Sequence, residues 1–330
     1  ALIRARIPYL PVHADHIDRE AAGLSVLILP NLALMTADQV SSVKRFVEKG
    51  GSLLATGDSS LFDEWGDPLP DFALAGLFGA HLLKPRNPDM KKENKMAGDS
   101  YHTYLRLSPE LRSRVDGPHN GNEPPITGER HEILEGFGET DILPFGGLLD
   151  PLRLDTGSKV LFSFIPQFPV YPPEKAWMRI PRTDIPGLIL NTRENGARIV
   201  FLPADIDRQY GRSNLPDHGN LLKNIVRWAA KEDLPLSVEG AGLVDSHLYR
   251  QADRLILHLV NLTNENTWRQ PLDELISIGP LRVNVKLPSG IKGTSLRLLV
   301  SGKTVNAEVR NNWCQFEINS ITDHEVIVIY

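Results

Sequence analysis

Residues 24–60 read LSVLILPNLALMTADQVSSVKRFVEKGGSLLATGDSS. Leu24 to Pro30 is a nearly unbroken apolar run, the pattern of a strand covered on both faces. Thr36 followed three residues later by Gln39 is a capping box. Val40, Val43, Phe46 and Val47 then recur at helical spacing. The Gly50-Gly51 pair supplies a left-handed stop. Ser52 to Thr56 is a second short apolar run, and it ends in a polar corner, Gly57-Asp58-Ser59-Ser60. Strand, capped helix, glycine stop and strand make a βαβ unit, which predicts a parallel sheet and an α/β fold.

Outward from this unit, DFALAGLFG (71–79) predicts a short helix. SKVLFSFIP (158–166) and ARIVFLP (197–203) predict further strands. Residues 214–231 predict a helix, because Leu221, Leu222, Ile225, Val226 and Ala229 share one face. Residues 84–130 are irregular and polar and read as an exposed loop. At the start, Ala1 to Arg6 reads as the end of a helix and Tyr9 to His13 as a strand. The opening lacks both a Met and a signal-peptide pattern, so it reads as a piece of something longer or as a trimmed chain. After Pro235 short strands recur between Gly, Asn and Ser turns, with clear alternation in Leu281-Val283-Val285-Leu287. That texture predicts a small antiparallel β-sandwich. The expected domains are therefore 1–232 and 236–330.

The totals narrow the function classes. The 330 residues suffice for two domains, and 41% hydrophobic with 23% charged residues is ordinary globular composition. A net charge of -5 without a long basic run argues against nucleic acid as a partner. No apolar stretch approaches the ~20 residues of a membrane span. The single cysteine, Cys314, excludes an internal disulfide and any CxxC motif. It fits a reducing compartment, hence an expected cytoplasmic location, and no cofactor is expected.

Candidate chemistry was weighed at four places. At the Gly57–Ser60 corner a class I amidotransferase would carry a Cys, and the only Cys lies far away in the sandwich. A serine hydrolase would carry GxSxG, and GDSSL lacks the second glycine. Next, ADIDRQYGR (204–212) follows a predicted strand, where open α/β sheets place ligands. Asp205, Asp207, Arg208 and Tyr210 there, with Asp58, Asp63 and Glu64 at the other corner, are the candidate sugar-binding or sugar-cleaving groups. Internal ion pairs, such as Asp205 or Asp207 with Arg208, are the competing use. HADHID (13–18) has ligand chemistry but no specific metal spacing, so no metal site is expected. Asn261-Leu262-Thr263 matches a glycosylation pattern common by chance. Finally, the aromatics of FPVYPPEKAW (168–177) with Trp65, Trp177, Trp268 and Trp313 suit either sugar stacking or a protein interface. Phe62, Trp65 and Phe72 in LFDEWGDPLPDF are the expected contact residues.

Residues 26–79, 168–186, 197–229 and HLVNLTN (258–264) together resemble β-galactosidase-type glycoside hydrolases of family 42 and related glycosyl hydrolases. The resemblance covers most of residues 1–270, and the sandwich matches in texture and position only. It implies a class I amidotransferase-like (flavodoxin-like) domain without its active site, the trimerisation domain of that family. In such enzymes the catalytic carboxylates come from a preceding TIM barrel, for which this sequence shows no pattern. The resemblance thus implies a non-catalytic accessory region that is inactive alone. It would self-associate, as a trimer or other homo-oligomer, and work with a barrel in the same or a partner chain. The alternative is a stand-alone α/β protein that binds or hydrolyses sugars through its acidic loops.

Overall fold

A computed structural model describes residues 1–84, 102–111, 126–231, 234–264 and 274–330. Most of the predicted loop at 84–130, and Trp268, lie outside them. The chain divides into two compact units. One is Val12–Glu232; the other joins Ala1–Pro11 to Asp233–Tyr330.

The elements in chain order are α1 (Leu2–Ala5), α2 (Ile17–Glu20), β1 (Val26–Leu29), α3 (Ala37–Glu48), β2 (Ser52–Thr56), α4 (Ala75–Phe78), β3 (Ala80–Leu82), β4 (Tyr104–Leu107), β5 (Ile142–Pro144), β6 (Leu152–Leu154), β7 (Lys159–Ile165), β8 (Pro186–Thr192), β9 (Arg198–Leu202), α5 (Ile206–Ser213) and α6 (Pro216–Ala229). The βαβ unit forms as its sequence dictates. Thr36 Oγ1 accepts from Gln39 N at 3.2 Å, and Gln39 Oε1 accepts from Thr36 N at 3.0 Å. Helix α3 buries Val40, Val43, Phe46 and Val47, and β2 is buried at every position.

The main sheet of this unit has the order β1-β2-β9-β8-β7-β4-β5. Strands β1, β2 and β9 are parallel. From β8 onward the pairings are antiparallel. The expected parallel sheet is therefore a mixed one. The reason lies in the connection: no helix crosses over between β7 and β8, so β8 returns beside its predecessor in the opposite sense. A second ribbon pairs β3 with β6. The predicted helix over 71–79 is limited to one turn, α4, closed by Gly79 at φ +63°. The predicted strand at Tyr9–His13 does not form; His13 instead accepts Asp15 N and caps a 3₁₀ turn.

The other unit packs two antiparallel sheets around one core. β10 (Leu236–Glu239), β11 (Val244–Gln251), β12 (Arg254–Asn261), β13 (Leu281–Lys286), β14 (Ser295–Leu298), β15 (Thr304–Asn306), β16 (Glu308–Arg310), β17 (Trp313–Ile318) and β18 (His324–Ile329) build it. The sheet orders are β10-β13-β17-β16 and β11-β12-β18-β14-β15. Strand β12 alternates half-buried and buried along its whole length, as a one-sided sheet requires. Residues 1–11, expected in the first domain, belong to this unit. Arg6 holds them there: its guanidinium donates to Val238 O at 3.0 Å, Gly240 O at 2.7 Å and Gly242 O at 2.8 Å.

Candidate functional site

The carboxyl ends of β1, β2 and β9 meet at one edge of the 12–232 unit, where open α/β sheets hold their ligands. Gly57, the first residue after β2, has φ +59°. Ser60, in the same corner, is also left-handed at φ +65°. Gly57 itself has no side chain to place there. A Cβ built on Gly57 would stand 2.6 Å from Asn31 Oδ1, and that oxygen accepts Asp58 N at 2.8 Å.

The serines that follow are buried and held in hydrogen bonds. Ser59 is buried; its hydroxyl lies 2.8 Å from Thr56 O and 3.1 Å from Leu29 O, and it accepts Leu32 N at 3.1 Å. Ser60 is also buried and accepts Leu74 N at 3.2 Å. Both hydroxyls tie the β1 and β2 exits to each other and to the segment before α4.

The acidic groups divide by role. Thr56 Oγ1 donates to Asp207 Oδ2 at 2.8 Å and accepts Asn31 N at 3.0 Å, so Asp207 is linked to β2 and through it to β1. Asp205 and Arg208 form a two-pronged ion pair at 2.6 and 3.0 Å. Burial pushes the Asp205 carboxyl above its ordinary pKa, against the pull of Arg208. Arg208 is raised in turn by its bond to Asp205. ADIDRQYGR is thus mostly helix α5 rather than loop, and Tyr210 is buried in its inner face. Asp58 lies close enough to Asp205 to raise its pKa further. Asp63 closes a turn, accepting Trp65 N at 3.0 Å and Asp67 N at 2.9 Å. Glu64 is exposed on that turn. The structure therefore brings Asp58, Asp205, Asp207 and Arg208 together, with Asp63 and Glu64 on the turn that follows.

The expected contact residues separate. Trp65 is 85% exposed, whereas Phe72 is 6% exposed. Phe72 packs edge-on to Phe78 and Phe201, and so lies in the core and not on the contact surface. Phe62 is half-buried and bridges to Leu34 and Pro68.

HADHID docks helices instead of holding a metal. Arg45 bonds both oxygens of Asp18 at 3.1 and 2.5 Å, and Asp15 accepts Gln39 Nε2 at 2.6 Å. The bonds from Arg45 and then Ser42 pull the Asp18 carboxyl down to about 2. Among the described residues no group of three His, Cys, Asp or Glu could hold a metal ion. Asn261 is no glycan acceptor: its side-chain nitrogen is committed to Ile276 O at 2.7 Å and Thr322 O at 2.8 Å. His218, buried at the start of α6, bonds Pro144 O at 2.7 Å, and burial lowers its pKa. Burial raises the Cys314 thiol to about 11. Sequence reasoning missed Asn31 and Thr56, the two residues that join the strand ends. Their signal was only a small polar side chain one or two residues past, or at, the end of an apolar run.

The polar clasp around this corner belongs to a mixed α/β sheet, and the same chain carries a unit of two packed antiparallel sheets. Solved structures that match this fold include glycoside hydrolases. The chain is similar to α-L-fucosidase isoenzyme 2 from Paenibacillus thiaminolyticus, with a TM-score of 0.67 and 16% identity over 99% of this chain and 43% of that one. It is similar to a β-galactosidase from Bacillus circulans sp. alkalophilus, TM-score 0.53 and 14% identity, over 95% of this chain and 34% of that one. It is also similar to Gan42B, a GH42 β-galactosidase from G. stearothermophilus, TM-score 0.50 and 14% identity, over 99% and 34%. The chain thus spans less than half the length of these enzymes. No protein-family profile and no curated protein matches it. The likeness to β-galactosidase-type glycoside hydrolases expected from the sequence is shown at the level of fold. Among the described residues no helix is long and apolar enough to cross a membrane.

Proposed function

We propose that this chain is a non-catalytic accessory and assembly region of a β-galactosidase-like glycoside hydrolase whose catalytic TIM barrel lies in the same or a partner chain. The observation that supports this reading is the corner after β2: Gly57 has no side chain, and Ser59 and Ser60 are buried and bonded to backbone. The fold match supports it, since nearly all of this chain corresponds to under half of each hydrolase. In this reading the first unit is amidotransferase-like and self-associates, as the resemblance to the trimerisation domain implies. Its acidic strand-end groups serve mainly to join strands. A sugar site built on Asp58, Asp63, Glu64, Asp205, Asp207, Arg208 and Tyr210 is the competing use.

The test is turnover. The purified chain is expected to hydrolyse neither aryl β-galactosides nor aryl α-fucosides. Measurable hydrolysis that disappears in Asp205→Ala or Glu64→Ala would overturn the proposal.

A further inference from the structure

The strand-end face of the 12–232 unit has two halves of opposite character. The segment after β2, residues 57–83, contains no Lys or Arg and carries Asp58, Asp63, Glu64, Asp67 and Asp71. Trp65 stands there on a turn held by Asp63 side-chain bonds and by Asp63 N to Asp67 O at 3.0 Å. Leu34 beside it is also exposed. The other half is the connection from β7 to β8. Strand β8 runs antiparallel to β9, so its start lies at the same sheet end as the close of β2. Residues 166–185 carry three cations, Lys175, Arg179 and Arg182, against two acids. They expose Val170, Tyr171 and Ile180, with Tyr171 82% exposed. Five prolines in this segment limit the entropy cost of ordering it. Arg179 lies 4.0 Å over the Trp177 ring.

We infer that the Trp65 turn of one copy docks on residues 168–182 of a second copy. This rests on the self-association proposed above and names its surface. Both halves leave the sheet at one end, on strands two to three places apart, about 10–15 Å at the usual strand spacing. Between chains, an exposed indole and an acidic rim meet exposed apolar side chains and a basic rim. Such pairing of aromatic anchors with complementary charge is how specific interfaces are built. Because each copy carries both halves, a geometry that closes, as a two-fold pair or a small ring, would leave no half uncovered.

The experiment is light scattering on the whole chain at micromolar concentration, in low and high salt. The parent is expected to be oligomeric, and less so in high salt. Glu64→Lys/Asp67→Lys and, separately, Lys175→Glu/Arg179→Glu should each weaken association at least tenfold. All four side chains are exposed, so circular dichroism should show unchanged folding. Mixing the two variants should restore association, because one presents two basic halves and the other two acidic halves. Trp65→Ala should weaken association as well. An oligomeric parent whose charge-reversed variants remain oligomeric overturns this surface and leaves self-association standing. A monomeric parent overturns both. A monomeric parent whose Trp65-dependent fluorescence shifts with galactose or fucose assigns the face to carbohydrate.

Discussion

Replacing Gly57 with alanine probes the corner on which the non-catalytic reading turns. Gly57 has φ +59°, and a non-glycine residue in that region costs about 1–2 kcal/mol. The new methyl would also lie 2.6 Å from Asn31 Oδ1, closer than real contacts allow. Asn31 would have to shift, weakening its 2.8 Å bond from Asp58 N; such a bond contributes about 0.5–1.5 kcal/mol. Restricting the unfolded chain returns about 0.4–1 kcal/mol. The expected net loss is about 2 kcal/mol. Gly50 is the internal control: its φ is +95°, but nothing lies within 4 Å of its Cβ position, so Gly50→Ala has a conformational cost alone, about 1 kcal/mol. Hydrogen exchange of the β1, β2 and β9 amides in both variants, beside denaturant unfolding, measures the loss in the unit concerned. Asn31→Ala in the Gly57→Ala background should be far less than additive, because the clash partner is already gone. If Gly57→Ala and Gly50→Ala are equally costly, the close approach to Asn31 plays no part and the account of the corner fails.

Two further outcomes follow from buried charge. His131 and His218 both have pKa values lowered chiefly by burial. A folded pKa below the unfolded one gives stability that is present above the unfolded value, about 6.5, and is lost as pH falls toward the folded value. The 12–232 unit should therefore unfold at lower denaturant as pH drops from 7.5 to 5, and His131→Gln/His218→Gln should flatten that dependence; a flat parent curve refutes it. Asp205 has the opposite sign, its raised pKa giving stability at low pH that is lost as pH rises through the folded value. Arg106 is fully buried and ion-paired to Asp141, so Asp141→Ala should take the carboxylate away from a buried guanidinium and cost about 3–5 kcal/mol in denaturant unfolding. A loss under about 1 kcal/mol would mean that water or Pro181 O, 2.8 Å from Arg106 Nε, satisfies the charge.

What could be read from sequence was local. Thr36 and Gln39 lie three residues apart, and their capping box forms because both partners sit within one helical turn. The alternation of Leu281, Val283 and Val285 becomes a one-sided strand for the same reason. Strand direction was not local. An apolar run such as β7 or β8 has the same pattern in either sense, and only the missing crossover helix makes the pair antiparallel. The allegiance of residues 1–11 depended on Arg6 reaching carbonyls more than 230 positions away. Within the candidate site, Asp205 and Arg208 could be foreseen as an ion pair because they are close in sequence. The links from Asn31 to Thr56 and from Thr56 to Asp207 join the exit of β1, the end of β2 and the start of α5, and carry no spacing at all.

The strand ends of the first unit show how an α/β edge uses its polar residues. Three parallel strands end together, and each leaves backbone groups that need partners where the chain turns away. Ser59 and Ser60 serve the β1 and β2 exits, and Thr56 joins β1 to the start of α5 through Asn31 and Asp207. A side chain at Gly57 would collide with Asn31, which fixes the neighbouring turn. What this edge still offers outward is the Trp65 turn, kept rigid by Asp63 and surrounded by acids. The energetic interest of the edge has moved from the corner to its rim, where a residue can be exposed without weakening the strands beneath it.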